Sequence, residues 1–199
     1  MSGRRAGQRF DAELGVTTEA LVFLGELDPE AIGPALEHAT HYEPTPVADV
    51  ERLLDASPLD PARATFVDAG AGMGRVVLLA ARRPFRAVLG IEVSPALVEI
   101  ARENLESVRD PSRVARDVRV VHADAARYRF PRGDLVVYLY NPFGAPVLDS
   151  LLVNVRLGDP HREVVLLYHT PLQRATIDAT EAFEVVGDLG FGVVYRLRR

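Results

Sequence analysis

The sequence predicts an α/β protein: a mostly parallel central sheet of about seven strands, helices on both faces, a helical segment in front, and the last strand antiparallel. Three observations carry this. From Ala64 onward, short apolar runs rich in strand formers alternate with stretches of helical periodicity. One run, Asp134-Leu135-Val136-Val137-Tyr138-Leu139-Tyr140, is apolar almost throughout, as a strand buried on both faces must be. The closing pair of runs is separated only by Gly187-Asp188-Leu189-Gly190, which suits a hairpin and is too short for a crossover between parallel strands.

The chain divides into a helical part, 1–55, expected to pack on the core, and a strand-helix part, 56–199. In the first part, Asp28-Pro29 reads as an N-cap with proline at the first helical position, opening a helix through Ala39. Thr45-Pro46 repeats the signal, with Val47, Val50, Leu53 and Leu54 at helical spacing behind it. In the second part, strands are expected at 64–68, 86–92, 117–123, 134–140 and 163–168, the fourth of them near the sheet centre. Helices are expected at 73–83, behind Ser94-Pro95, and around Val147, Leu148, Leu151, Leu152 and Val155. Strands near 183–186 and 192–197 follow, the antiparallel one ending the sheet.

Composition removes several chemistries. The chain of 199 residues, 48% hydrophobic with mean hydropathy +0.04, supports one substantial core. Without cysteine there is no disulfide, thiolate metal site or cysteine nucleophile, and with arginine as all 23 basic residues there is no Schiff-base lysine. No apolar run reaches about 18 residues and the start is polar, so a soluble cytoplasmic protein without a membrane partner is expected. A net charge of −5 argues against nucleic acid as a partner, and Arg4, Arg5 and Arg9, like Arg109, Arg113, Arg116 and Arg119, read as solvated. His38 and His41 lack a third ligand, so no metal is expected.

The chemistry concentrates after the first strand of the sheet. Gly70-Ala71-Gly72-Met73-Gly74 joins it to a helix, and glycine lets bare backbone approach a ligand at a helix N-terminus. The third glycine comes one residue earlier than in the dinucleotide pattern, which points away from a pyrophosphate. Glu92 ends the next strand, 24 residues after Asp68, where a carboxylate can accept both hydroxyls of a ribose or simply sit at the N-terminus of the following helix.

These residues resemble the class I, seven-strand, Rossmann-like methyltransferases that use S-adenosylmethionine. Phe66 to Gly74 is similar to the family's first motif, and Leu89-Gly90-Ile91-Glu92 to the strand whose acidic residue holds the ribose. The resemblance implies S-adenosylmethionine as cofactor, S-adenosylhomocysteine as product, and Asp68, Gly70, Gly72, Gly74 and Glu92 as cofactor-binding residues. It puts Asp124 and Ala125 at the adenine, where Asp124 also reads as a strand-end turn residue. His41-Tyr42-Glu43-Pro44-Thr45-Pro46 resembles the Tyr-x-Pro-Thr-Pro segment of Dot-type and related protein-lysine methyltransferases, implying that Tyr42 and Thr45 hold the methionine end. Thr45 also reads as a helix cap.

Tyr140-Asn141-Pro142-Phe143 is similar to the Asn-Pro-Pro-aromatic motif of amino-group methyltransferases, with one proline missing. By that resemblance Tyr140 and Asn141, and by the preceding one Tyr42, are the catalytic candidates, and Asn141 also meets the cofactor; Tyr140 to Phe143 reads equally as a plain turn. Transfer by direct in-line displacement is expected, with Glu43, His41 or His169 as the base if one is needed. The acceptor stays open between a protein lysine and a small molecule. Two rivals are a non-catalytic cofactor-binding protein and, on weaker glycine spacing, a nicotinamide-dependent oxidoreductase.

Overall fold

The computed structural model describes residues 2–20, 22–23, 41–141, 144–157, 159 and 161–198. Among the described residues, four elements precede the sheet: α1 (Ser2–Leu14), the short antiparallel pair β1 (Val22–Phe23) and β2 (His41–Tyr42), and α2 (Val47–Asp55). The rest alternates: β3 (Thr65–Ala69), α3 (Arg75–Ala80), β4 (Ala87–Glu92), α4 (Pro95–Ser107), β5 (Val118–His122), β6 (Leu135–Tyr140), α5 (Ala145–Leu157), β7 (Val164–His169), α6 (Arg174–Ala179), β8 (Phe183–Asp188) and β9 (Gly192–Leu197). The helix expected from Asp28, and His38, lie outside the described residues.

Among the described residues the main sheet has seven strands in the order β5-β4-β3-β6-β7-β9-β8, so β6 is central, as its apolar run requires. β9 is antiparallel to both neighbours and the other strands run together. The hairpin forms as expected, but its antiparallel strand does not end the sheet; it is inserted between β7 and β8. Burial explains the order. Val193, Val194 and Tyr195 of β9 are buried and need a neighbour on each side, whereas Glu184, Val185 and Val186 of β8 are exposed. A register shift between Val185 and Gly187 further suits β8 to an edge.

Alternating side chains build two cores. On one face Phe66, Val136, Tyr138 and Val194 pack with Phe10 of α1, Leu53 of α2, Val77 of α3 and Val98 of α4. On the other, Val67, Val137 and Leu166 pack with Leu148, Leu151 and Leu152 of α5 and Ile177 of α6. Ser94 caps α4 as predicted, accepting from the Leu97 N–H at 3.4 Å. The arginines of α1 and of the α4–β5 connection are exposed, as expected.

Thr45 departs from expectation. The N-cap of α2 is Pro46, and no side chain caps that end. Thr45 is instead buried, and its Oγ1 accepts from the Tyr138 hydroxyl at 3.3 Å. A buried tyrosine hydroxyl needs a partner, and that demand from the sheet below outweighs the cap. The cap segment is thereby pinned over the central strand.

Candidate functional site

The carboxyl ends of β3, β4, β5, β6 and β7 share one edge, and the candidate residues meet there. Gly70, Gly72 and Gly74 take φ of +90°, +52° and +88°, a left-handed region that side chains resist. The loop folds back on β4, with the Gly70 and Ala71 N–H groups donating to the Ile91 carbonyl at 2.8 and 3.0 Å. Gly74 also packs so tightly on α4 that a Cβ there would lie 3.3 Å from the Cβ of Ala101. This is why α3 begins at Arg75 and not at Met73.

Glu92 is buried, and its carboxylate binds the loop and the next helix together. Oε2 accepts the Gly72 N–H at 2.8 Å; Oε1 accepts those of Val93 and Ser94 at 2.8 and 2.9 Å. Three of about four lone-pair positions on a carboxylate are thus taken, leaving room for one more donor beside the loop. Burial raises its pKa against these bonds. Of the two sequence readings of Glu92, the one at a helix start is seen at Oε1, which accepts the N–H groups that lead into α4.

Asp68 lies beside it, buried, without a hydrogen bond to any described residue. Burial, and then the charge of Glu92, push its pKa up to about 8. Two buried carboxylates next to bare backbone fit a ligand that offers hydroxyl donors and positive charge. S-adenosylmethionine has both, in its ribose and in its ammonium and sulfonium groups, so the residues fit the group.

Asp124 makes the turn that the sequence allowed for it. Its Oδ1 accepts the Ala126 N–H at 2.8 Å and Oδ2 stands 3.7 Å from the Arg127 guanidinium. Ala125 is buried against the core. Tyr42 lies in β2, and its side chain is outside the description, as are Pro142 and Phe143.

The other half of the edge is built from β6 and β7. Tyr140 is half-buried and bonded to Glu43 of the cap segment, and burial followed by that carboxylate raises its hydroxyl to about 12. Its ring meets the edge of His169 at 4.5 Å. His169 is buried between Asp49 Oδ2 at 3.3 Å from Nε2 and Thr170 Oγ1 at 2.9 Å from Nδ1. Burial lowers its pKa, and Asp49 opposes this less strongly. The ring is a satisfied histidine at the strand end.

Asn141 and Thr170 both adopt left-handed backbone, at φ of +39° and +45°. For a β-branched threonine this is a strained conformation. Asn141 Nδ2 donates to the Thr170 carbonyl and its Oδ1 accepts the Leu172 N–H at 3.2 Å, so its amide clamps the two loops. Tyr140 and Asn141 thus stand together at the end of β6, and Thr45 is held over the same strand at Tyr138.

The fold has counterparts among known proteins. Residues 66–155 match the family model described as a methyltransferase domain. No curated protein matches. An RNA methyltransferase from Salinibacter ruber, solved with S-adenosylhomocysteine, is 26% identical with a TM-score of 0.50, over 77% of this chain and 92% of that one. The ribosomal protein L11 methylase of Lactobacillus delbrueckii subsp. bulgaricus shares the fold at 17% identity and TM-score 0.54, covering 76% of each chain. So does the magnesium protoporphyrin IX methyltransferase of Synechocystis, with bound S-adenosylmethionine, at 15% identity and TM-score 0.52 over 76% and 77%.

The chain is an S-adenosylmethionine-dependent methyltransferase. The three neighbours are named for an RNA, a protein and a porphyrin acceptor, so this sheet does not by itself select the acceptor. The expectation against nucleic acid, drawn from net charge alone, gains no support from them.

Two buried polar residues of the methyltransferase were not singled out from sequence. Asn104 of α4 donates from Nδ2 to the Met73 carbonyl inside the glycine loop at 2.9 Å. Arg75 follows that loop directly and is ion-paired to Glu19 at 2.7 Å and Asp11 at 3.5 Å. Signals existed for both: an amide among Leu97, Ala101 and Val108 on an apolar helix stripe, and a cation in the first turn of a helix.

Proposed function

We propose that this methyltransferase modifies an amine, namely a protein lysine. The observation that carries the reading is the anionic setting of Tyr140: Glu43 bonded to its hydroxyl, and Asp49 one residue further behind His169. An ammonium side chain is drawn to such a rim, where a neutral or anionic acceptor gains nothing. The Tyr-x-Pro-Thr-Pro likeness of Tyr42 to Pro46 supports the same class.

In this reading Glu92 accepts the ribose hydroxyls, Asp68 accepts from the ammonium of the methionine end, and the N–H groups around Gly70, Gly72 and Gly74 line the path between them. Asp124 and Ala125 border the adenine, and Tyr42, Thr45 and Asn141 enclose the methionine end. The cofactor, when bound, supplies an electrophilic methyl on sulfur, open to direct in-line displacement. Tyr140 and Asn141 orient the amine, and the cap segment held by Thr45 and Tyr138 keeps water out. Glu43, on the rim, takes the proton that the ammonium must lose.

The test is transfer of radioactive methyl from S-adenosylmethionine into a cell extract. Label in protein, recovered as methyl-lysine after hydrolysis, is expected. Label confined to RNA or to small molecules rejects the lysine assignment.

A further inference from the structure

The polar core of the cofactor half reaches beyond the ligand-facing groups to a strap at residues 16–19, which follows α1. Asn104 and Arg75 make the connection. Asn104 accepts the Thr17 N–H at 2.8 Å, donates to the Thr17 carbonyl at 2.8 Å, and donates to the Met73 carbonyl at 2.9 Å. One buried amide thus holds both the strap and the centre of the glycine loop. This bonding offsets the cost of placing asparagine inside a helix and out of water.

Arg75 ties the same two segments a second time. Its Nε donates to Thr18 Oγ1 at 2.8 Å, and its guanidinium pairs with Glu19 and Asp11. Asp11 in turn accepts the Thr18 and Glu19 N–H groups at 2.6 and 2.7 Å. Arg75 Nη1 also donates to the Thr45 carbonyl at 3.3 Å, so strap, loop and cap segment meet at one side chain. α1 lies directly on this junction through Gly7, where a Cβ would stand 1.8 Å from Glu19 Oε2.

A buried cation at a helix N-terminus is set against the helix dipole, and buried ion pairs return little net stability. What they fix is geometry. We infer that Asn104 and Arg75 are positioning residues that make the strap at 16–19 a working part of the cofactor site, ordered together with the glycine loop. The inference rests on the loop being the S-adenosylmethionine site. By thermodynamic reciprocity, the cofactor must then tighten the strap as much as the strap tightens the loop.

S-adenosylhomocysteine is the probe. Hydrogen exchange of the full chain should show it slowing exchange at residues 11–20 as well as at 68–74. Asn104→Asp keeps the acceptor for Thr17 N–H but removes both donated bonds. It should weaken S-adenosylhomocysteine binding about tenfold by calorimetry at a temperature where circular dichroism is unchanged. Glu19→Gln, which touches no loop atom, should weaken it about threefold and abolish the protection at 11–20; it decides the matter if Asn104→Asp does not fold. A merely structural role lowers the melting temperature of both variants yet leaves affinity within twofold and protection confined to the loop, which overturns the inference. Wild-type protein that binds no S-adenosylhomocysteine overturns the cofactor reading itself, and this inference with it.

Discussion

The two halves of the carboxyl edge solve opposite problems. Where β3 and β4 end, glycines supply every left-handed residue of the loop, and two buried carboxylates sit together with Asp68 unbonded among the described residues. Where β6 and β7 end, the left-handed residues are Asn141 and Thr170, and their neighbours are bonded to one another: Tyr140 to Glu43, His169 to Asp49, Asn141 to the Thr170 loop. The first half leaves a buried carboxyl, Asp68, open to a donor from outside the described residues. The second is closed upon itself and holds a shape.

The largest effect expected is at Glu92. Glu92→Ala removes the acceptor of three N–H groups and should weaken S-adenosylhomocysteine about 100-fold, or roughly 3 kcal/mol, measured by calorimetry. An affinity within threefold of wild type would erase the distinction between the halves.

Asp68 sharpens the comparison through pH. Its pKa in the folded chain, about 8, exceeds the ordinary 3.8, so the folded state holds the proton more tightly. Its contribution to stability is therefore present below about pH 4 and is lost as pH rises towards 8. Asp68→Asn should raise the melting temperature of the free protein above pH 6, and it should weaken S-adenosylhomocysteine by about 30-fold. It should also flatten the rise of wild-type affinity between pH 6 and 8, because a bound ammonium favours the ionised carboxyl.

In the other half, Tyr140→Phe should leave S-adenosylhomocysteine affinity within twofold while slowing methyl transfer about tenfold. Equal loss of both would place Tyr140 with the cofactor. The smallest effect is at Thr170. Thr170→Gly relieves left-handed strain of about 1 kcal/mol, net of the entropy of glycine, and should raise the melting temperature by about 1–2 °C while slowing transfer. A lower melting temperature would mean that its hydroxyl bond to His169 outweighs the strain.

The difference between the halves also explains what could be read from the amino-acid sequence. The glycine loop, Glu92 and the apolar β6 run are local signals, carried by adjacent residues whose backbone needs are visible one by one. Their placement held. Thr45 was legible as a cap and, by resemblance, at the methionine end, but not as the acceptor of the Tyr138 hydroxyl, because that partner lies 93 residues away. Asn104 and Arg75 gain meaning only from Thr17, Thr18 and Glu19, distant in sequence and close in space. α1 and α6 were not foreseen; α6 has six residues, too few to establish a period, and α1 hides its Phe10 and Leu14 among polar residues. The insertion of β9 between β7 and β8 was equally invisible, since a hairpin fixes pairing but not which arm lies inside.

That insertion bears on how the protein is made. During synthesis β7 and β8 leave the ribosome before β9, the strand that joins them. Until Gly192 to Leu197 emerges, β7 presents an apolar edge with no hydrogen-bonding neighbour on that side, and β8 has no sheet to belong to. A nascent chain halted there exposes a ready template for aggregation, so completion of this sheet must wait for translation to pass its final strand.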